Sequence, residues 1–161
     1  MKKITLIALL LALTWQVNAQ TNEIPNLVKN EFKIDAAYLL GLAFKVEFER
    51  LINDQSSLGI VALGNPNSDP AYGYQLLGFY RLYFGKEYAS GFFLEGNFGI
   101  TGAKNYTVPG VGLAIGQKFV TKSNVTLDVF IGLGRVFEID RYRYYAPSIY
   151  PRVGVCIGKR F

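Results

Sequence analysis

The sequence predicts an all-β fold: an eight-stranded antiparallel up-and-down transmembrane β-barrel, preceded by a cleaved signal peptide. Three observations carry this. From Asn30 to Phe161 apolar residues recur at every second position almost without pause, which is the period of a strand and not of a helix. Most of these runs come near the about 9–11 residues that a tilted strand needs to cross a bilayer. The parity opposite the apolar one is rich in glycine (Gly110, Gly112, Gly116, Gly132, Gly134, Gly154 and Gly158), which suits a cramped interior and makes a poor water-facing strand.

The chain divides into residues 1–19 as signal peptide, 20–29 as lead-in and 30–161 as barrel. Lys2 and Lys3 form a charged start, Ile4 to Trp15 a short apolar core, and Val17-Asn18-Ala19 places small residues before a cut at Gln20. The apolar run falls short of the roughly 20 residues of a spanning helix. Cleavage takes the basic count from 17 to 15 against 12 acidic residues, leaving +3. That excess is not gathered into a stripe, so nucleic acid is not an expected partner. The lone Cys156 excludes an internal disulfide framework; its parity, shared with the glycines, makes it a small interior filler. Residues 20–29 are polar and contain Pro25.

Phe32, Ile34, Ala36 and Tyr38 oppose Glu31, Lys33 and Asp35 in the first strand. After a tight reversal near Leu40-Gly41, Leu42, Phe44, Val46 and Phe48 oppose Ala43, Lys45, Glu47 and Glu49. Asn53 to Ser56 is turn chemistry. Leu58 to Leu63 is a third strand whose two faces are both apolar, so its parity stays open. Pro66 and Pro70 mark a loop over 64–71. Tyr72 to Phe84 follows, with Gln75 and Arg81 on one parity, then a turn over 85–90. Phe92, Leu94, Gly96, Phe98 and Ile100 oppose Glu95, Asn97 and Thr101. Residues 102–109 read as a loop. Val111, Leu113, Ile115 and Phe119 oppose Gly110, Gly112, Ala114, Gly116 and Lys118. Beyond a turn at 121–124, Val125, Leu127, Val129, Ile131 and Leu133 oppose Thr126, Asp128, Gly132 and Gly134. Residues 137–149 form the longest connection before the closing strand, Tyr150 to Phe161, in which Arg152, Gly154, Cys156, Gly158 and Arg160 share a face.

Alternation alone leaves the direction of the apolar face open, because a soluble lipocalin-like barrel would turn the same pattern inward around a ligand. The glycine-rich parity favours the membrane version. So do aromatics at strand ends (Tyr38, Phe48, Tyr72, Phe84, Phe119, Phe137, Tyr150, Phe161), which read as interfacial girdles.

The closing strand, YPRVGVCIGKRF, resembles the last strand of bacterial outer-membrane barrels, and the eight strands are similar to the small barrels of the OmpA/OmpX type. The resemblance implies a cell outer-membrane location, Phe161 as an assembly signal read by the barrel-assembly machinery, and contact with outer-membrane lipid and lipopolysaccharide. Lys159 departs from the apolar or aromatic residue usual at the third position from the end. The strand Lys45-Val-Glu-Phe-Glu-Arg-Leu51 also resembles the second strand of a domain-of-unknown-function family of small exported barrels, which implies fold and location and no activity.

The sequence contains no histidine, so a Ser-His-Asp triad and a histidine metal site are excluded. Glu47 and Glu49 share a face and could do acid–base chemistry, but they also share the interior parity with Lys45, Arg81, Glu95, Lys118, Asp128 and Arg152. Buried charges must be paired to be tolerated, so these eight are expected to form an interior ion-pair network. The first half of the chain supplies long interior groups, Phe79 among them, and the second half glycines and Ala114. Large against small predicts a plugged lumen. The expected role is that of a non-enzymatic, cofactor-free, monomeric structural or interaction protein working through external loops; the alternative is a ligand- or lipid-binding barrel, including a soluble carrier. Within the longest loop, Arg141, Tyr142, Arg143, Tyr144 and Tyr145 form a candidate contact patch, since Tyr and Arg are enriched in binding hot spots.

Overall fold

The computed structural model describes residues 28–40, 43–65, 73–103, 106–137 and 148–161. The signal-peptide segment, most of the lead-in, and the patch Arg141 to Tyr145 lie outside the described residues. The elements are β1 (Asn30–Asp35), α1 (Ala36–Leu40), β2 (Phe44–Leu51), β3 (Ser56–Gly64), β4 (Tyr74–Tyr83), β5 (Gly91–Ala103), β6 (Tyr106–Val120), β7 (Val125–Val136), β8 (Ile149–Pro151) and β9 (Gly154–Arg160). Each strand from β1 to β7 pairs antiparallel with the next, β9 pairs with β7 as β8 does, and β9 also pairs with β1, so the sheet closes. β8 and β9 hold one register against β7: Pro151 pairs with Leu133 and Gly154 with Phe130. Between them Arg152 N–H still donates to Gly132 O at 3.0 Å. They are two segments of a single eighth strand, and the fold is an eight-stranded antiparallel closed barrel.

Its stagger can be read from the register. Pairing runs from Asn30 through Arg50, Leu58, Tyr80, Gly96, Leu113 and Leu133 to Pro151. Asn30 itself exchanges both backbone hydrogen bonds with Phe161, at 2.9 and 2.7 Å, which is ten residues further on. A ten-residue stagger over eight strands tilts them by roughly 40° and leaves an interior just wide enough for side chains. One end of the barrel, the terminal end, holds Asn30, Phe161 and the turns after β2, β4 and β6; α1 and the last residues of β3, β5 and β7 lie at the opposite end.

The structure departs from the sequence expectation in four places. The first strand ends at Asp35 instead of running on through Tyr38, and α1 makes the reversal. Asp35 Oδ1 accepts from Ala37 N–H at 3.0 Å and from Tyr38 N–H at 3.4 Å, which is N-capping chemistry. The expected loop over 102–109 is ladder almost throughout, since Gly102 pairs with Thr107 and Ala103 with Tyr106. Pro109 is tolerated there because its carbonyl, which accepts Phe137 N–H at 2.8 Å, and its donorless nitrogen both face the end of β7. Tyr150 is no girdle residue: it shares the parity of Arg152 and is buried in the lumen. The division into a large first half and a small second half also fails, because Lys118, Asp128, Phe130, Tyr150, Arg152 and Arg160 are all buried side chains. Large meets small locally instead. The Tyr150 ring lies against Gly134, and Phe79 lies against Gly59. This last contact fixes the open parity of β3: Ser57, Gly59, Val61 and Leu63 face inward.

Charges fill the barrel and apolar side chains cover it. Among the described residues the buried charged ones are Glu31, Lys33, Asp35, Lys45, Glu47, Glu49, Arg81, Glu95, Lys118, Asp128, Arg152 and Arg160, six acidic and six basic. Outward-facing Phe44, Leu58, Ile60, Leu76, Phe98, Leu113, Ile131 and Leu133 are each more than half exposed. Two apolar clusters flank the charges inside. Val61, Leu77, Phe79, Tyr106, Val108, Val136 and Tyr150 lie toward the opposite end. Leu51, Tyr83, Ala89, Phe93, Phe130 and Cys156 form the second cluster, which reaches the terminal end.

Candidate functional site: the charged lumen

All eight residues expected in an interior network are buried, and the structure brings seven of them into one connected cluster. Arg81, projecting from β4, is its hub. Its Nε meets Glu95 Oε2 at 2.9 Å, its Nη1 meets Glu49 Oε2 and Asp128 Oδ2 at 2.9 Å each, and its Nη2 lies 2.8 Å from Glu47 Oε1. Arg152 spans Glu95 (2.8 Å) and Glu47 (3.1 Å), and Lys118 bridges Glu49 and Glu31 at 2.9 Å each. Lys45 stands apart. It binds Asp35 at 2.8 Å and donates to Val153 O at 2.7 Å, with its ammonium over the Tyr38 ring.

Four members went unnamed among the expected eight: Glu31, Lys33, Asp35 and Arg160. The signal was present, since their parity opposes the apolar face of the first and last strands. Lys33 is the second hub, contacting Glu31 at 2.9 Å, Asp128 at 2.6 Å, Glu47 at 3.5 Å, and Glu49. Arg160 pairs with Glu31 at 2.7 Å and donates to the carbonyls of Tyr88 and Ala89 at 3.2 and 3.1 Å. It thereby draws the β4–β5 turn across the terminal end, where Ala89 is fully buried at a φ of 41°. Neutral groups extend the network. Tyr83 donates to Glu49, Asn97 to Glu95 at 3.1 Å, and Tyr150 to Asn97 at 2.6 Å. Aromatic faces complete the cage, with Arg81 4.4 Å above Phe79 and 4.5 Å above Phe93, and Arg152 4.4 Å above Phe130. Such placement suits a desolvated guanidinium.

The chemical options are narrow. Carboxylate oxygens of Glu47, Glu49 and Asp128 lie within 4.8 Å of one another, close enough to hold an ion. Lys33 and Arg81 already reach into that space, so the cationic position is supplied by the protein and a metal does not fit. Glu47 and Glu49 are each held by at least two cations, which leaves neither poised to move a proton on a substrate. Toward the opposite end a recess of about 160 Å³ is lined by Tyr38, Leu63, Asn65, Gln75, Thr101 and Pro151. The Gln75 amide there is buried and has no side-chain hydrogen bond among the described residues. Phe161, the expected assembly signal, is half exposed on the outer wall.

No family model, characterised protein or solved structure matches this chain.

Proposed function

We propose that the chain is a monomeric, membrane-spanning barrel of a bacterial outer membrane, with a closed lumen, serving as a structural or interaction protein through its loops. One observation carries this reading: the usual partition is inverted, with twelve mutually neutralising charges inside and an apolar wall outside. In water such a wall would be a continuous hydrophobic surface far beyond what a soluble monomer exposes; in lipid it is the favourable side. The wall's height agrees. Between Lys159 and Arg50 at one margin and Arg135 at the other, the registers give roughly 22 Å along the barrel axis, against about 25 Å for the apolar band of such barrels. The aromatics Phe84, Phe119, Phe137 and Phe161 are exposed at strand ends, where girdles belong.

Export by the N-terminal leader, recognition of the last strand by the barrel-assembly machinery and contact with lipopolysaccharide are parts of the same proposal, as is the absence of catalysis. Membrane fractionation tests it. The protein should stay in the membrane pellet after alkaline carbonate washing and run faster on gels when unheated than when boiled. Release into the soluble fraction would refute the reading. A loop role predicts that replacing Arg141, Tyr142, Arg143 and Tyr144 with Ser abolishes binding to a surface partner at unchanged barrel stability. The recess around Gln75 favours a second reading, a small-ligand-binding barrel; the charged interior argues against a carrier of apolar cargo.

A further inference from the structure

We infer that the outer wall at the terminal end is a contact surface for anionic glycerophospholipid headgroups, an inference that rests on the membrane reading above. Lys159 and Arg50 are the residues that point to it. Lys159 faces outward between Phe32 and Val125, its ladder partners, on a wall that is mostly apolar. Its ammonium has no hydrogen-bond or ion-pair partner among the described residues, and Arg50 has only the neutral Asn30 Oδ1, at 2.8 Å.

Register and tilt place the two at one height. Arg50 pairs with Asn30, Asn30 bonds to Phe161, and Lys159 lies two residues before it. With the strands tilted by roughly 40°, the Cα atoms of Arg50 and Lys159 lie within about 2 Å of the same level. That level is the lower margin of the apolar wall, where lipid phosphates lie and long basic side chains extend to reach them.

The surrounding charge has the same sign. Among the described residues Lys29, Lys86 and Lys122 are exposed at this end, against Asp54 and Glu87 as the exposed acids, both in turns. At the opposite end Arg135 is the one exposed charge among the described residues. A bare cation on an apolar wall is unfavourable without an anion beside it, and no described residue pairs with Lys159. A lipid phosphate with net negative charge does, and an anionic surface attracts each nearby Lys or Arg enough to change occupancy about fivefold.

The test is spin-label measurement of lipid selectivity, with the purified full-length protein reconstituted in phosphatidylcholine vesicles and labelled phosphatidylglycerol compared with labelled phosphatidylcholine. The wild type should prefer phosphatidylglycerol severalfold, the preference shrinking in high salt. Arg50→Gln with Lys159→Gln should bring the ratio close to one, while Lys122→Gln alone retains most of it. Heat-modifiable mobility of each variant confirms that the barrel has folded. An inserted wild-type barrel without preference would overturn the inference and leave the membrane reading standing. An unchanged ratio in the double variant would overturn the assignment to these two residues. Failure of the wild type to float with vesicles would overturn both.

Discussion

Arg81 offers the sharpest test of the charged lumen. Arg81→Met keeps most of the side chain's length and its packing on Phe79 and Phe93 while removing the charge. Four carboxylates, those of Glu47, Glu49, Glu95 and Asp128, then lose a shared partner within 3 Å. The interior falls from six cations against six anions to five against six. A surface pair broken in this way would cost at most about 1 kcal/mol. Leaving a charge buried and uncompensated costs about 3–5 kcal/mol, and Arg81 is fully buried. Adding Glu95→Gln restores the balance at five against five. The amide introduced by that substitution can still accept from Arg152 Nε and bond to Asn97, so the double variant should recover about 2 kcal/mol of the loss, a coupling measurable in a double-mutant cycle. Urea unfolding of the reconstituted barrel, followed by gel mobility and tyrosine signal, reads all four proteins. A single variant within about 1 kcal/mol of wild type, or a double variant weaker than the single, would refute the reasoning.

Gly134→Leu should destabilise the barrel by about 1–3 kcal/mol or more, because the Tyr150 ring occupies the space a side chain would need; unchanged urea midpoints would contradict the packed-lumen account. Deleting Phe161 removes both backbone bonds to Asn30 and should lower the amount of folded protein in the membrane without affecting synthesis or export, as quantitative blotting of fractions would show. Planar-bilayer recordings should find no steady conductance in the wild type and intermittent opening in the Arg81→Ala, Glu95→Ala variant; large stable wild-type channels would sink the plugged-lumen idea. Mass spectrometry of the exported chain should find Gln20 at its N-terminus, and a retained Met1 would dispose of the signal-peptide reading.

Much of the barrel was legible because its determinants are local. Strict two-residue alternation at Phe92 to Ile100 and at Val125 to Leu133 sorts the residues onto two faces without knowledge of any partner strand. The same parity placed Glu47, Arg81, Glu95 and Arg152 on one surface. Where both parities are apolar, as at Leu58 to Leu63, local pattern is silent, and the answer came from the Phe79 ring of the neighbouring strand lying against Gly59. Loop chemistry misleads at 102–109, because Gly102, Lys104, Asn105 and Pro109 within eight residues suggest a break. The partner β7 accommodates Pro109 by leaving its missing donor at the end of a ladder.

By itself, then, the sequence determined the class of fold, the two faces of nearly every strand, and the absence of histidine chemistry. The tertiary structure decided which charges meet. That Lys33 and Arg81 converge on Glu49 and Asp128, from strands far apart in the chain, depends on the ten-residue stagger and on closure of β9 against β1. Parity is a property of one strand, whereas ion pairing across a lumen is a property of the closed sheet, and only closure brings β1, β2, β4 and β7 around one axis.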